Sequence, residues 1–528
     1  MNERARRGVG AGAARPDLAS LVVALLALVG AGVVAAAVAA SAIAGAGPAL
    51  AAEPSPLEVF RRYIHDRDPA VRRKAVAALA EVRGSDVVAG LLEAFRDEDP
   101  GVRDRAESAL LSVRDRTDEI AALAAAIVPK APPESRLLAV RALTTCGRGG
   151  APPLRLALAD KDAAVRCAAA RGLATIGDRD AVRDLHVLLT HKEPLVRAAA
   201  MDSIGDLSQG DAVGTATAVA LGDRAPEPRI AAVRVLARYP SIDVEDAVVR
   251  CLGDAAWSLR TAAARALAEF GRDGATARPA AAALVAALAK EDRNRVRVEF
   301  GESLWTLTAI DFGPDAPRWT QWFKETGGRF DPPAQRPTRR IRDAGATHGG
   351  LGDLPLESEH VCFVFDASHS MSDPIRFGAE RTKRDDLQDA FEAVVEKLPR
   401  GSWINLIPFS TAPMPMKPAL FEATSGARQA TIKHLAKTPP DGRTNIYDAL
   451  ELALSDPDAD TIVLLTDGAP SAGKRTQRTG IIDGVREMNR YRLARIHTVE
   501  IGAASTGARW KGFLKDLADS AGGHYLAR

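Results

Sequence analysis

The sequence predicts a multidomain chain of two structural classes in series, an all-α solenoid of helical hairpins followed by an α/β domain with an open, doubly wound sheet. Three observations carry this. One arginine recurs at nearly constant spacing through the first two thirds: Arg72, Arg103, Arg136, Arg166, Arg197, Arg229, Arg260 and Arg297. After residue 358 short apolar runs alternate with helical patterns, the signature of a mostly parallel sheet covered on both faces. Between the two, Pro332-Pro333, Pro337 and Gly349-Gly350 break every periodicity.

The repeat is specific at several positions. Three residues after the arginine stands Ala75, Ala106, Ala139, Ala169, Ala200, Ala232, Ala263 and finally Phe300; seven after it stands Leu79, Leu110, Leu143, Leu173, Ile204, Leu236, Leu267 and Leu304. These positions share one helix face, and a small middle residue lets a neighbouring helix come close. Asp68-Pro69, Asp99-Pro100 and Glu193-Pro194 read as the turn that opens this second helix of each hairpin. A hairpin of this size cannot bury its apolar face alone, so the units must stack. The tryptophans Trp305, Trp319 and Trp322 after the last unit read as an end cap.

The pattern D-P-x-V-R-x-x-A-x-x-x-L resembles HEAT-type repeats of the shorter kind, over roughly residues 57 to 311. The resemblance implies a scaffold that presents a surface to partners, with a repeated arginine that bonds acids or carbonyls of the neighbouring turn.

Arg4, Arg6, Arg7 and Arg15 precede an uncharged apolar run from about Leu18 to Ala46, and Pro48-Ala49-Leu50-Ala51-Ala52 offers a small-residue cleavage site. This is the pattern of an export signal or of an uncleaved transmembrane anchor, since the run exceeds the roughly 20 residues that span a bilayer. Either outcome places everything after residue 53 outside the cytoplasm. The expected organisation is therefore 1–52 signal or anchor, 53–326 solenoid with its tryptophan-rich cap, 327–357 linker with a short strand near Leu354 to Leu356, and 358–528 the α/β domain.

A formal net charge of +2 and no basic stripe interleaved with aromatics argue against nucleic acid as a partner. Cys146, Cys167, Cys251 and Cys362 have no paired spacing and read as small core residues.

In the last domain the expected elements are strands at His360 to Phe365, Trp403 to Phe409, Thr461 to Leu465 and Ile496 to Ile501. Helices are expected at Leu387 to Leu398, Arg443 to Leu454, Ile481 to Arg492 and Trp510 to Ala518. Ligands of such sheets gather at the carboxyl ends of the strands. Three loops meet there: Asp366-x-Ser368-x-Ser370, Gly442-Arg443-Thr444-Asn445 and Thr466-Asp467-Gly468. Their hydroxyls and two carboxylates are all oxygen donors, which suits a hard divalent cation and not zinc.

This D-x-S-x-S motif with the later threonine and aspartate resembles the metal-ion-dependent adhesion site of von Willebrand factor A domains, over residues 358 to 528. The resemblance implies that Ser368, Ser370 and Thr444 supply hydroxyl ligands to Mg2+, with Mn2+ or Ca2+ as alternatives. Asp366 and Asp467 would hold the ion directly or through water. An open coordination position would take a carboxylate of a protein partner. His369 stands where glycine is common and Gly442-Arg443 where two glycines often precede the threonine, so partner choice is open.

Two decoys fall away on chemistry. Gly468 to Arg475 nearly spells a phosphate loop, yet arginine stands where a metal-binding hydroxyl is required. His369 between two serines lies in an extended loop whose neighbours point apart, and no G-x-S-x-G elbow is present. The expected function is non-enzymatic: metal-dependent protein binding at the cell envelope, with the solenoid as a second surface for another protein. The alternatives are an assembly component beside an ATPase or chelatase, and an unrecognised hydrolase.

Overall fold

The structure, a computed structural model, describes residues 54–114, 116–270, 274–326, 328–333, 354, 356–375, 378–502 and 510–528. The expected signal or anchor lies outside them, and among the described residues no helix is long and apolar enough to cross a membrane. The described residues divide into two compact units, the first ending at Val82 and the second beginning at Arg83.

In the first unit α1 (Pro56–Tyr63) and α2 (Pro69–Ala80) form one hairpin. Asp68 caps α2 by accepting the Ala70 amide, and Pro69 occupies the first helical position, where a missing N–H costs nothing. Ala75, Val76 and Leu79 are buried.

The second unit begins with seven more hairpins. They are α3 (Ser85–Ala94) with α4 (Pro100–Leu110), α5 (Thr117–Ala126) with α6 (Pro133–Thr145), α7 (Ala151–Ala157) with α8 (Ala163–Thr175), and α9 (Val182–Leu188) with α10 (Pro194–Ser208). Then follow α11 (Val213–Gly222) with α12 (Pro226–Leu236), α13 (Ile242–Cys251) with α14 (Trp257–Glu269), and α15 (Gly274–Leu288) with α16 (Asn294–Thr308). Each repeated arginine sits in or at the start of the second helix, and the alanine three residues on is buried from Ala106 to Ala263.

The arginines tie each hairpin to the turns around it. Arg197 makes a fork to Asp223, 2.7 Å at both nitrogens, and donates to the His191 carbonyl at 2.7 Å. Arg260 repeats this with Glu291 at 2.6 and 2.7 Å and the Asp254 carbonyl at 2.8 Å. Arg136, fully buried, forks to Asp160 at 2.9 and 2.8 Å. A planar guanidinium can fork a carboxylate with two nitrogens and still donate to a carbonyl, a geometry that lysine's single nitrogen cannot match.

Helix α17 (Ala316–Thr326) closes the stack. Trp319 is fully buried, donates its indole N–H to the Gly313 carbonyl at 2.9 Å, and meets Phe312 and Trp322 edge-on at 4.9 and 5.6 Å. The described ends of the expected strand at 354–356 are not in a strand; Leu354 and Leu356 pack into the core of the last domain instead.

That domain comprises β1 (His360–Asp366), α18 (Lys383–Lys397), β2 (Trp403–Phe409), β3 (Phe421–Glu422), α19 (Ser425–Lys437) and α20 (Ile446–Ser455). It continues with β4 (Thr461–Thr466), α21 (Arg478–Met488), β5 (Arg495–Glu500), α22 (Phe513–Ser520) and β6 (Tyr525–Ala527). The sheet order is β3-β2-β1-β4-β5-β6, parallel except for the short edge strand β3. Alternate strand residues face opposite cores: Cys362, Val364, Ile462 and Leu464 pack with α20, α21 and α22, whereas Phe363, Phe365, Val463 and Leu465 pack with α18 and α19. The order reverses between β1 and β4, and the crevice of a doubly wound sheet lies at such a point. All four cysteines are buried and none is paired in a disulfide.

Within the second unit the α/β domain is docked on the second helices of the hairpins. At the strand starts, Arg293 donates to Asp460 at 2.6 Å and lies over the Trp257 ring at 5.1 Å, while Trp257 donates to the Pro457 carbonyl at 3.2 Å. Arg495 opens β5 and bonds Glu302 at 2.5 Å and Glu357 at 2.6 Å. Farther along, Tyr491 donates to Asp202 of α10 at 2.8 Å, and Arg171 of α8 pairs with Glu487.

Two outcomes are expected. Arg136→Met leaves the largely covered Asp160 carboxylate without its guanidinium and should cost about 3 kcal/mol in chemical denaturation, against less than about 1 kcal/mol for Arg116→Met at the exposed Arg116–Asp118 pair. Glu245 is buried with Oε1 unpartnered, and burial followed by the nearby Asp246 charge pushes its carboxyl up to about 7 from 4.5. The folded chain then keeps a proton that the unfolded chain releases, so this contribution is present below about pH 4.5 and is lost as pH rises to about 7. Glu245→Gln should flatten that decline in unfolding midpoints measured across the window.

Candidate functional site

The site is built from the ends of adjacent strands. Asp366 is the last residue of β1, and β4 ends beside it at Thr466. Both Asp366 oxygens are engaged: Oδ1 accepts the Ser368 amide at 2.8 Å and Oδ2 accepts the Thr466 hydroxyl at 2.5 Å. This clamps the carboxylate where the chain turns, and brings the Ser368 and Ser370 hydroxyls within 3.2 Å of each other. Burial, then the neighbouring Asp467 charge, pushes the Asp366 carboxyl up to about 7. Two acids this close, out of water, call for a cation.

The second loop is laced to the first. The His369 amide donates to the Gly442 carbonyl at 3.1 Å, and the Asp441 amide to the Ala367 carbonyl at 2.8 Å. Gly442 has φ +76°, and a Cβ there would lie 2.7 Å from the Thr411 hydroxyl, so this glycine serves both the turn and the close approach. Thr444 is buried just before α20, and Asn445 caps that helix by accepting the Asp448 amide at 3.2 Å.

The third loop is laced to the second. Thr444 donates its amide to Ser471 Oγ at 3.0 Å and accepts the Ser471 and Ala472 amides at 2.8 and 3.1 Å. Asp467 is 9% exposed, its Oδ1 is buried without a hydrogen-bond partner, and its Oδ2 accepts from Lys383 Nζ at 3.0 Å. The structure thus brings Asp366, Ser368 and Ser370 into one turn, ties the loop of Thr444 to it, and sets the Asp467 charge against Asp366.

Lys383 is the residue that sequence reasoning missed. It occupies the first position of α18, whose capping box is Thr382 with Asp385, and its amide donates to the Asp373 carbonyl at 2.9 Å. An ammonium at a helix N-terminus opposes the dipole, and Lys383 is 9% exposed there. It is held by Asp467 and by Asp373 at 3.8 Å. The T-K-R-D capping box is legible as a helix start, but nothing local shows that its lysine turns toward an aspartate 84 residues away.

The donor set fits a hard divalent cation. Three hydroxyls and two carboxylates, one of which keeps a buried oxygen, Asp467 Oδ1, without a hydrogen-bond partner, are an all-oxygen set, and oxygen ligands suit Mg2+ or Ca2+. Among the described residues no group of three or more His, Cys, Asp or Glu gathers as a ligand cluster, so a cation here would rely on hydroxyls.

The near-phosphate loop resolves in the structure. Lys474 pairs with Glu451 and Arg475 with Glu107, so neither side chain of the near-phosphate loop is turned to a ligand. A cavity of about 1010 Å3 between solenoid and domain is lined by Arg234, Arg238, Arg265, Arg486, Arg490 and Arg495 and by none of the five candidate ligands. Each of those arginines has a carboxylate partner.

Residues 359–526 match the family model described as von Willebrand factor type A domain, and residues 33–111, 151–219 and 214–305 match that of HEAT repeats. This is a HEAT-repeat protein with a carboxy-terminal von Willebrand factor A domain. The interval between the first two HEAT matches holds α5 and α6, which form the same hairpin around Arg136. Inter alpha-trypsin inhibitor, heavy chain 4 of Mus musculus is 31% identical over 152 residues, 26% of this chain and 15% of the relative. Von Willebrand factor A domain-containing protein 3A of Homo sapiens is 28% identical over 121 residues, 23% of this chain and 10% of the relative. The chain thus spans only a small part of these curated relatives. Among solved structures, the von Willebrand factor type A protein from Catenulispora acidiphila aligns at 19% identity and a TM-score of 0.26, over 32% of this chain and 39% of that one.

Proposed function

We propose that this chain is a protein-binding scaffold of the cell envelope whose von Willebrand factor A domain takes an acidic group of a partner at a divalent cation. Mg2+ is the ion the oxygen donors suit best, held by Ser368, Ser370, Thr444, Asp366 and Asp467. The observation that carries the reading is the orphaned, buried Asp467 Oδ1 beside the clamped Asp366 in a crevice otherwise rich in hydroxyls. Where Asp366 and Asp467 reach the ion through water, the hydroxyl ligands leave most of its charge uncompensated, and a partner carboxylate would then complete its shell. The match to two families of interaction modules supports binding rather than catalysis.

Lys383 gives the site a character of its own. Its ammonium already sits on Asp467, so an incoming ion has to displace or share it. Envelope location rests on the amino-terminal basic and apolar pattern of residues 4–52. A second partner on the solenoid would have to use its first helices, because the second helices carry the docked domain. Leu156, Val187 and Leu221 are exposed on α7, α9 and α11 and are the side chains such a partner would cover.

The test is Mn2+ and Mg2+ titration of the full chain, followed by capture of partners from an envelope extract with Mg2+ or with chelator. Wild type should bind one ion, Asp467→Ala should lose it, and Lys383→Met should bind about tenfold more tightly, a change of about 1.4 kcal/mol. Partners retained by wild type only with metal support the reading. Equal retention in chelator and by Asp467→Ala would reject the cation as the working surface.

A further inference from the structure

The loop from Gly468 to Gln477 has two masters. Its first half belongs to the cation site, through the Ser471 and Ala472 bonds to Thr444. Its second half is gripped by the solenoid. The Thr476 hydroxyl donates to Asp104 of α4, Arg103 donates to the Gly473 carbonyl at 2.7 Å, and Arg475 pairs with Glu107 at 3.3 Å. Asp104 is 4% exposed, a carboxylate placed in a protein interior to receive this loop.

The two halves are mechanically joined. Gly473 has φ +99°, and a Cβ built there would lie 1.9 Å from Asn445 Oδ1, so the backbone that Arg103 holds is pressed directly on the residue after Thr444. Arg475 lies over the Tyr447 ring at 5.5 Å, on the first turn of α20. The Lys474 amide donates to Asp448 Oδ1 at 3.1 Å, a third tie to that turn. Contacts therefore run without a break from α4 through Gly473 to Asn445 and Thr444. They leave little freedom for the loop to move while α4 is in place.

We propose that α4 is a working part of the cation site: Asp104, with Arg103 and Glu107, positions loop 468–477 so that Thr444 and Asp467 stand ready to hold the ion. This rests on the reading that the crevice binds a divalent cation. None of the three touches the ion; they act through the loop. By linkage, whatever the grip of α4 contributes to ion affinity the ion returns to the grip, so metal tightens the docking of domain on solenoid.

The experiment is Mn2+ titration of the full chain, read by the paramagnetic signal of the free ion. Asp104→Ala should weaken Mn2+ about tenfold, within the 5- to 150-fold span of site-to-site couplings. Asp104→Asn keeps a carbonyl oxygen to accept the Thr476 hydroxyl and should bind within about twofold of wild type. Thr476→Val removes the hydroxyl bond but leaves the Thr476 amide on Asp104, so it should weaken Mn2+ in the same direction by less than Asp104→Ala, and the double variant should be no weaker than Asp104→Ala alone. Hydrogen exchange on the wild-type chain gives an independent readout that needs no variant to fold: Mn2+ should slow amides of α4 as well as those of 468–477.

Wild type that binds while Asp467→Ala does not, with Asp104→Ala binding as wild type or α4 exchange unmoved by metal, overturns the role of α4 and leaves the cation site standing. Failure of wild type to bind Mn2+ overturns both. Weakening by Asp104→Asn as severe as by Asp104→Ala, with no slowing in α4, would reduce Asp104 to a fold-stabilising residue and also overturn the proposal.

Discussion

One buried ion pair sets the arrangement of everything else in the second unit. Asp460, at the threshold of β4, is wholly removed from solvent, and its two oxygens are met by Arg293 from the solenoid at 2.6 Å and by Ser358 from the segment before β1 at 2.5 Å. A carboxylate so placed is costly unless every partner arrives in register. Arg495, 97% buried one strand over, imposes the same demand through Glu302 and Glu357. Charges of this kind add little net stability, but they penalise any other orientation heavily. Once the strand starts are pinned to α14 and α16, the strand ends and their loops are carried to fixed places, including the contact of 468–477 with α4.

Much of this was legible in the sequence, and the boundary between legible and hidden has a physical cause. The hairpins could be counted because each buries the same residues at the same helical spacing, and Arg197 or Arg260 finds its acid only one turn of the repeat away, 26 and 31 residues on. Strands β1 and β4 announced themselves as apolar runs, and β2 as one interrupted only by Asn405, because both their faces are covered. Helix α19 went unread: it buries only Thr431 and Leu435 on one side, too few apolar positions to show a period. Edge strands β3 and β6 are two and three residues long and carry no alternation to detect.

The candidate site divides the same way. Asp366, Ser368 and Ser370 are visible as a motif because one turn fixes all three, and Thr444 and Asp467 are visible because each ends or begins an element. Lys383 and the solenoid residues Asp104, Trp257 and Arg293 are not, since their meaning depends on partners 84, 372, 200 and 167 residues distant. Long-range polar contacts leave no local trace. They follow from how two finished surfaces meet, and the sequence near each residue reports only that it is charged or aromatic.

The docking of one domain along many second helices turns the repeat number into a measurement. The domain grips α4 near one end of its contact and α16 at the other, with five hairpins between the two that hold these helices. An inserted or deleted hairpin in that interval would leave every unit as stable as before, yet it would carry Asp104 or Arg293 a full repeat away from its mate. The solenoid of the second unit therefore behaves as a ruler cut to the length of its own cargo. Elsewhere in such arrays length can drift with little consequence, but between α4 and α16 the count is locked by the width of a folded domain.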